Sequence, residues 1–180
     1  MAEVQQSQFS LKKLTVKSTG LIYTEYNTEI PDGNETYIKS HKDESTMIPH
    51  PDLKAPLEQM KKMLLDAWSL DETSPLAAEI NVKGITLSGS EDKRTIIISG
   101  TKVIRKSNLK VPCGSGKISL GANTFGFEEE LEVCVNHLID EAFKFIYENK
   151  KAQMDIAFKE DVPKTKKKSK KVDEETESED

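Results

Sequence analysis

Residues 80–100 read INVKGITLSGSEDKRTIIISG, and the pattern in this stretch decides the fold. Ile80, Val82, Ile85 and Leu87 alternate with Asn81, Lys83, Thr86 and Ser88, with a phase adjustment at Gly84, as a half-buried strand carrying one irregularity requires. Gly89-Ser90-Glu91-Asp92 supplies turn chemistry, and Arg94 to Ile104, containing Ile96-Ile97-Ile98, returns as a strand expected to be covered on both faces. The stretch is therefore a β-hairpin, and the sheet it belongs to is antiparallel.

Working upstream, residues Met1 to Gln8 are polar without a period and read as a frayed end. From Leu14 to Tyr26 the residues Thr15, Val16, Thr19, Ile22, Tyr23, Thr24 and Tyr26 favour strand, with Gly20 marking a bulge or a close backbone approach. Pro31-Asp32-Gly33-Asn34 turns the chain, and Glu35 to Ser40 returns. Pro49-His50-Pro51-Asp52 then introduces a helix with Asp52 as its expected cap and Leu53, Leu57, Met60, Leu64 and Trp68 as its apolar face. "LTVKSTGLIYTE" (14–25) and "INVKGITLSGSE" (80–91) share Val, Lys and Glu at equal spacing, and each opens a hairpin that precedes a helix.

Downstream, Glu128-Glu129-Glu130 complements the dipole of a last helix whose apolar face is Leu131, Val135, Leu138, Ala142 and Phe145. The whole reads as an α+β fold: an antiparallel sheet with two helices on one face, built from a ββα unit used twice (half-repeats 9–70 and 78–150) in a single domain spanning 9–158. The second face of the sheet is then open to a ligand or a partner.

The 180 residues, 36% hydrophobic and 32% charged, suit one core. A formal net charge of -5 excludes a surface that is a nucleic-acid footprint throughout, though not a local basic stripe. Cys113, placed in a loop, and Cys134, placed in a helix, make no disulfide framework; with no signal peptide or apolar span in the sequence, a cytoplasmic protein without membrane contact is expected.

Catalytic chemistry is not expected. "VPCGSGKISL" (111–120) imitates the end of a P-loop, but Val111 stands where the first Gly belongs, Ile118 stands where the metal-binding hydroxyl belongs, and no helix follows directly. His41, His50 and His137 form no paired-ligand spacing, and no His lies near Cys113 to activate it. Neither a metal nor a cofactor is expected, and the chain reads as a non-enzyme.

Beyond Pro163, "KTKKKSKK" (164–171) runs into "VDEETESED" (172–180), a basic block and then an acidic end, so residues 159–180 are expected to be a disordered tail.

The order of hairpin, "PHPDLKAPLEQM" helix (49–60), second hairpin and closing helix ending "NKKAQ" (149–153) resembles small uncharacterised proteins of tailed bacteriophages, on Pro49 to Leu53 and on Lys151-Ala152-Gln153. The acidic end is similar in character to the tails of single-stranded-DNA-binding proteins, although it lacks their terminal aromatic or hydrophobic residue. What the resemblance implies is a host cell's cytoplasm and an early, DNA-related or host-countering role.

The function expected is that of a phage DNA-metabolism accessory protein binding single-stranded DNA on the open sheet face. Tyr23, Tyr26 and Tyr37 would stack bases, Lys17, Lys39, Lys102, Arg105 and Lys106 would meet phosphates, and the acidic tail would compete or recruit. The expected partner is a single strand or a replication or recombination protein, with a homo-oligomer also compatible. The alternative is a host-defence inhibitor or sequestering protein, whose acidic surface imitates nucleic acid or whose pocket between repeat units holds a small signal molecule.

Overall fold

A computed structural model describes residues 5–90, 93–121 and 126–150. The elements are β1 (Phe9–Val16), β2 (Ile22–Asp32), β3 (Glu35–Glu44), α1 (Pro51–Asp66), β4 (Ile80–Ser88), β5 (Thr95–Ile104), β6 (Leu109–Gly114), β7 (Ile118–Ser119) and α2 (Glu128–Tyr147). A turn of 3-10 helix at Gln6–Gln8 precedes β1, so defined backbone begins ahead of Phe9. The tail from 159 and the Lys151-Ala152-Gln153 motif lie outside the described residues.

The seven strands form one antiparallel sheet in the order β3-β2-β1-β4-β5-β6, with β7 continuing the β6 edge against β5. Both helices cover one face. Leu14, Ile22, Ile85, Ile96 and Ile98 point into that layer and meet Leu53, Met60, Leu64, Leu131, Val135 and Leu138 in a single core. The α+β class and the helices on one face agree with the sequence reading.

Several local expectations are corrected. Leu14 to Tyr26 is not one strand: β1 ends at Val16, the Lys17 amide donates to the Leu21 carbonyl, and Gly20 takes a φ of 83° in a tight turn. Residues 9–70 thus hold three strands and a helix and residues 78–150 four strands and a helix, so neither is the ββα unit expected, because β1 and β2 are separate strands and the segment after Ile104 also supplies strands. Ile97 of β5 is only partly buried, so that strand is covered on one face rather than two. The cap of α1 is His50, whose Nδ1 accepts from the Asp52 amide at 3.3 Å, and Cys113 lies on strand β6, not in a loop.

The middle of the sheet is narrow. β1 and β4 pair through three positions only, Lys13 opposite Thr86, Leu14 opposite Ile85 and Thr15 opposite Gly84. A bulge sits in β1 between Leu11 and Lys13 and another in β4 between Val82 and Gly84, which leaves Lys12 and Lys83 as the extra residues. Lys12 lies two residues before Leu14 and Lys83 two before Ile85, so the halves are arranged about the Leu14–Ile85 pair, both fully buried. The "LTVK"/"INVK" match instead aligns Leu14 with Ile80, the first residue of β4, and is out of step with this arrangement.

Candidate functional site

Past Thr15 and Gly84 the central ladder stops, and the same happens past Lys13 and Thr86 at the other end. Each divergence opens a cleft between β1 and β4, roofed by one helix. The cleft beneath α2 has a volume of about 780 Å³ and is lined by Gln6, Lys12, Glu29, Arg94, Asn136 and Asp140 among others. Two pairs of its polar groups bond to each other: Gln6 Nε2 donates to Asp140 Oδ1 at 2.6 Å and Arg94 Nη1 to Asn136 Oδ1 at 3.0 Å. The cleft beneath α1, about 490 Å³, is lined by Lys17, Lys54, Lys61 and Lys83 with Glu58 as the one carboxylate among its lining residues.

The open sheet face does not gather the eight residues expected there. Tyr23 is on it, but its hydroxyl donates to Glu25 at 2.7 Å and Lys13 Nζ lies 5.7 Å from its ring centre. Lys17 Nζ is 2.6 Å from Glu44 and Lys42 Nζ 3.8 Å from Glu25, so carboxylates neutralise the cations around Tyr23. Tyr26 is on the opposite face and only 5% exposed. It stacks on His41 with ring centres 4.7 Å apart, packs on Phe9 and Tyr147, and donates to Asp43 Oδ2 at 2.9 Å. Burial pushes its phenol far above the usual range, and a ring so enclosed has no face for a base. Tyr37 and Lys39 are exposed on edge strand β3, on the side of Tyr26 rather than of Tyr23.

Lys102, Arg105 and Lys106 come together elsewhere, on the β5–β6 hairpin. Between Asp92 and Glu128 the sequence carries Lys93, Arg94, Lys102, Arg105, Lys106, Lys110 and Lys117 and no acidic residue, in a chain whose net charge is -5. The register places Ile104 opposite Leu109 and Lys102 opposite Val111, so exposed apolar side chains alternate with cations along the hairpin. Among the described residues the seven make one ion pair, Arg105 Nε to Glu79 Oε1 at 3.2 Å. By contrast, residues 22–44, which form β2 and β3, hold six acidic residues against two lysines. The two edges of the sheet are therefore of opposite charge.

Trp68 completes the basic edge and was missed as a site residue. Expected on the apolar face of α1, it lies beyond that helix, next to Ser69 at a φ of 53°, and is 38% exposed. Its indole Nε1 donates to the Gly114 carbonyl at 2.8 Å, which fixes the ring against the end of β6. Cys113, next to Gly114, is pushed up by burial and drawn back by the charge of Lys102, so Lys102, Cys113 and Trp68 share one neighbourhood. The sequence signals that would have found this site are the acid-free interval and the one tryptophan of the chain standing after the helical period has run out.

"GSGK" is a connector between two edge strands. Ser115 N donates to the Ile98 carbonyl, Ser115 Oγ accepts from Ile98 N at 3.1 Å, and Gly116 takes a φ of 75°. No helix of the described residues is long and apolar enough to cross a membrane, and among them no three metal-type ligands converge. No protein-family model, curated protein or solved structure matches this chain.

Proposed function

We propose that this chain is a non-enzymatic, single-stranded nucleic-acid-binding accessory protein, acting in DNA metabolism in the host cytoplasm as its resemblance to tailed-phage proteins implies. The observation that carries the reading is the β5–β6–β7 edge, residues 95–119, with five basic residues (Lys102, Arg105, Lys106, Lys110 and Lys117), no acidic one, and the indole of Trp68 held at its margin. A strand needs cations for its phosphates and a flat π-face for its bases, and this edge offers both. The binding surface is thus the sheet edge, with Lys102, Arg105 and Lys106 retained and Tyr26 set aside because it is buried.

The test uses Trp68 itself, since no other tryptophan contributes to the fluorescence. Titration with an oligothymidylate at low salt is expected to quench the emission and to raise the anisotropy of a labelled strand. The Trp68→Ala variant should bind roughly 5- to 150-fold more weakly, the equivalent of about 1–3 kcal/mol of stacking. Arg105→Ala combined with Lys106→Ala should flatten the slope of log affinity against log salt by about 1.4, at about 0.7 for each phosphate no longer neutralised. Absence of binding at low salt, or binding indifferent to salt, rejects the reading.

A further inference from the structure

We propose that the cleft beneath α1 binds the phosphate of a nucleotide, either a free nucleotide or one unit of a strand. The inference does not rest on strand binding at the β5–β6 edge. Three elements deliver like charges to one cavity of about 490 Å³: β1 and its turn bring Lys17, α1 brings Lys54 and Lys61, and β4 brings Lys83. Lys54, Leu57, Glu58 and Lys61 follow the i, i+3, i+4, i+7 spacing, so α1 turns one stripe toward the cleft. Lys83 is the extra residue of the β4 bulge, the device by which strands re-aim a side chain. Glu44 holds Lys17 at 2.6 Å, which leaves Lys54, Lys61 and Lys83 facing the single carboxylate of Glu58. An excess of ammonium groups in a concave, partly apolar site raises their mutual repulsion, and a phosphate relieves it.

The remainder of the lining suits the rest of a nucleotide. Val16, Leu57 and Val82 give an apolar floor, while Ser18 and Asn81 give hydrogen-bonding groups. Gly20, at a φ of 83°, has no atom within 4 Å of the place its Cβ would occupy, so the turn backbone is open to approach. The volume falls within the roughly 300–1,000 Å³ of small-ligand sites. The cleft beneath α2 is an internal contrast: Lys12 and Arg94 there face Glu29 and Asp140, leaving no excess charge.

The experiment is calorimetry and thermal melting of the full chain with inorganic phosphate, adenosine triphosphate and an oligothymidylate, against the Lys54→Ala/Lys83→Ala double variant. A free-nucleotide site predicts that the triphosphate binds and raises the melting temperature, at least tenfold more weakly in the double variant and unchanged in Arg105→Ala/Lys106→Ala. A strand site predicts no response to the small probes but at least fivefold weaker oligothymidylate binding in the double variant, with quenching of Trp68 at saturation preserved. Should the double variant melt abnormally without ligand, Lys61→Glu replaces it. If neither triphosphate nor oligothymidylate distinguishes these variants from the parent, the proposal is overturned; failure at the β5–β6 edge alone would appear instead as intact triphosphate binding without Trp68 quenching.

Discussion

Gly84 shows how one residue holds the two halves together. It faces Thr15 at the last pair of the central ladder, and a Cβ built on it would lie 1.9 Å from the Leu14 carbonyl oxygen and 2.8 Å from the Thr15 Cα. Backbone cannot yield as a side-chain tip can, so Gly84→Ala must part β1 from β4 where only three pairs join them. A destabilisation of at least about 3 kcal/mol is expected, read as a fall in the denaturation midpoint. Gly33→Ala gives a useful contrast, since nothing lies within 4 Å of its Cβ position and only its φ of 63° resists the change. Gly84 was legible in sequence as a break in alternation, and the structure puts a bulge there. Tyr26 was not legible. Strand alternation puts Tyr23 and Tyr26 on opposite faces, but the aromatic content of the segment drew both onto one surface, and the packing partners Phe9 and Tyr147 are distant in sequence.

Among the elements, the helices were the most readable because their 3.6-residue period survives without knowledge of neighbours. Leu53, Leu57, Met60 and Leu64 of α1, and Leu131, Val135, Leu138, Ala142 and Phe145 of α2, are all buried as the period predicts. What pins the two helices together was not readable, since it joins residues far apart. Glu141, 3% exposed, accepts from Lys144 at 2.7 Å and from Lys150 at 2.6 Å, and Lys150 reaches Asp52 of α1 at 2.7 Å. Burial pushes the Glu141 carboxyl up, but the bonds from Lys144 and Lys150 outweigh it and hold it below the usual range. The bond from Lys150 likewise lowers Asp52. Carboxyls depressed in the folded state stabilise it fully above their unfolded values of about 4, and that contribution is lost as pH falls through the lower folded values. Acid melting of the parent should therefore steepen below about pH 4.5. Glu141→Gln should cost on the order of 1–3 kcal/mol at neutral pH and flatten that acid limb. A variant melting like the parent at pH 7 would mean that the cluster contributes nothing.

At the scale of the molecule, charge is segregated, and a net value conceals it. The acid-free interval from Lys93 to Lys117 includes β5 and the β6 edge of the sheet, the acid-rich β2–β3 hairpin forms the other edge, and in sequence the chain has an acidic end. Residues 173–180 hold six acidic groups and residues 164–171 six lysines, so these two blocks cancel, residues 1–163 carry the net charge of -5, and the cationic surface is local, at the basic edge. An anionic segment tethered to a cationic surface competes with any strand that approaches it, because its effective concentration stays high whatever the strand concentration. Removing residues 173–180 should therefore strengthen oligothymidylate binding roughly three- to tenfold at low salt, the equivalent of about 0.7–1.4 kcal/mol from several weak exposed charge contacts. The gain should shrink as added salt shortens the Debye length from about 10 Å at 0.1 M. The same truncation in the Arg105→Ala/Lys106→Ala background should gain less, since part of the surface under competition is already gone. Anisotropy titrations of the four proteins at two salt concentrations measure this coupling. Equal affinities of the truncated and full chains at low salt would show that the acidic end does not compete, and would leave the basic edge to account for binding alone.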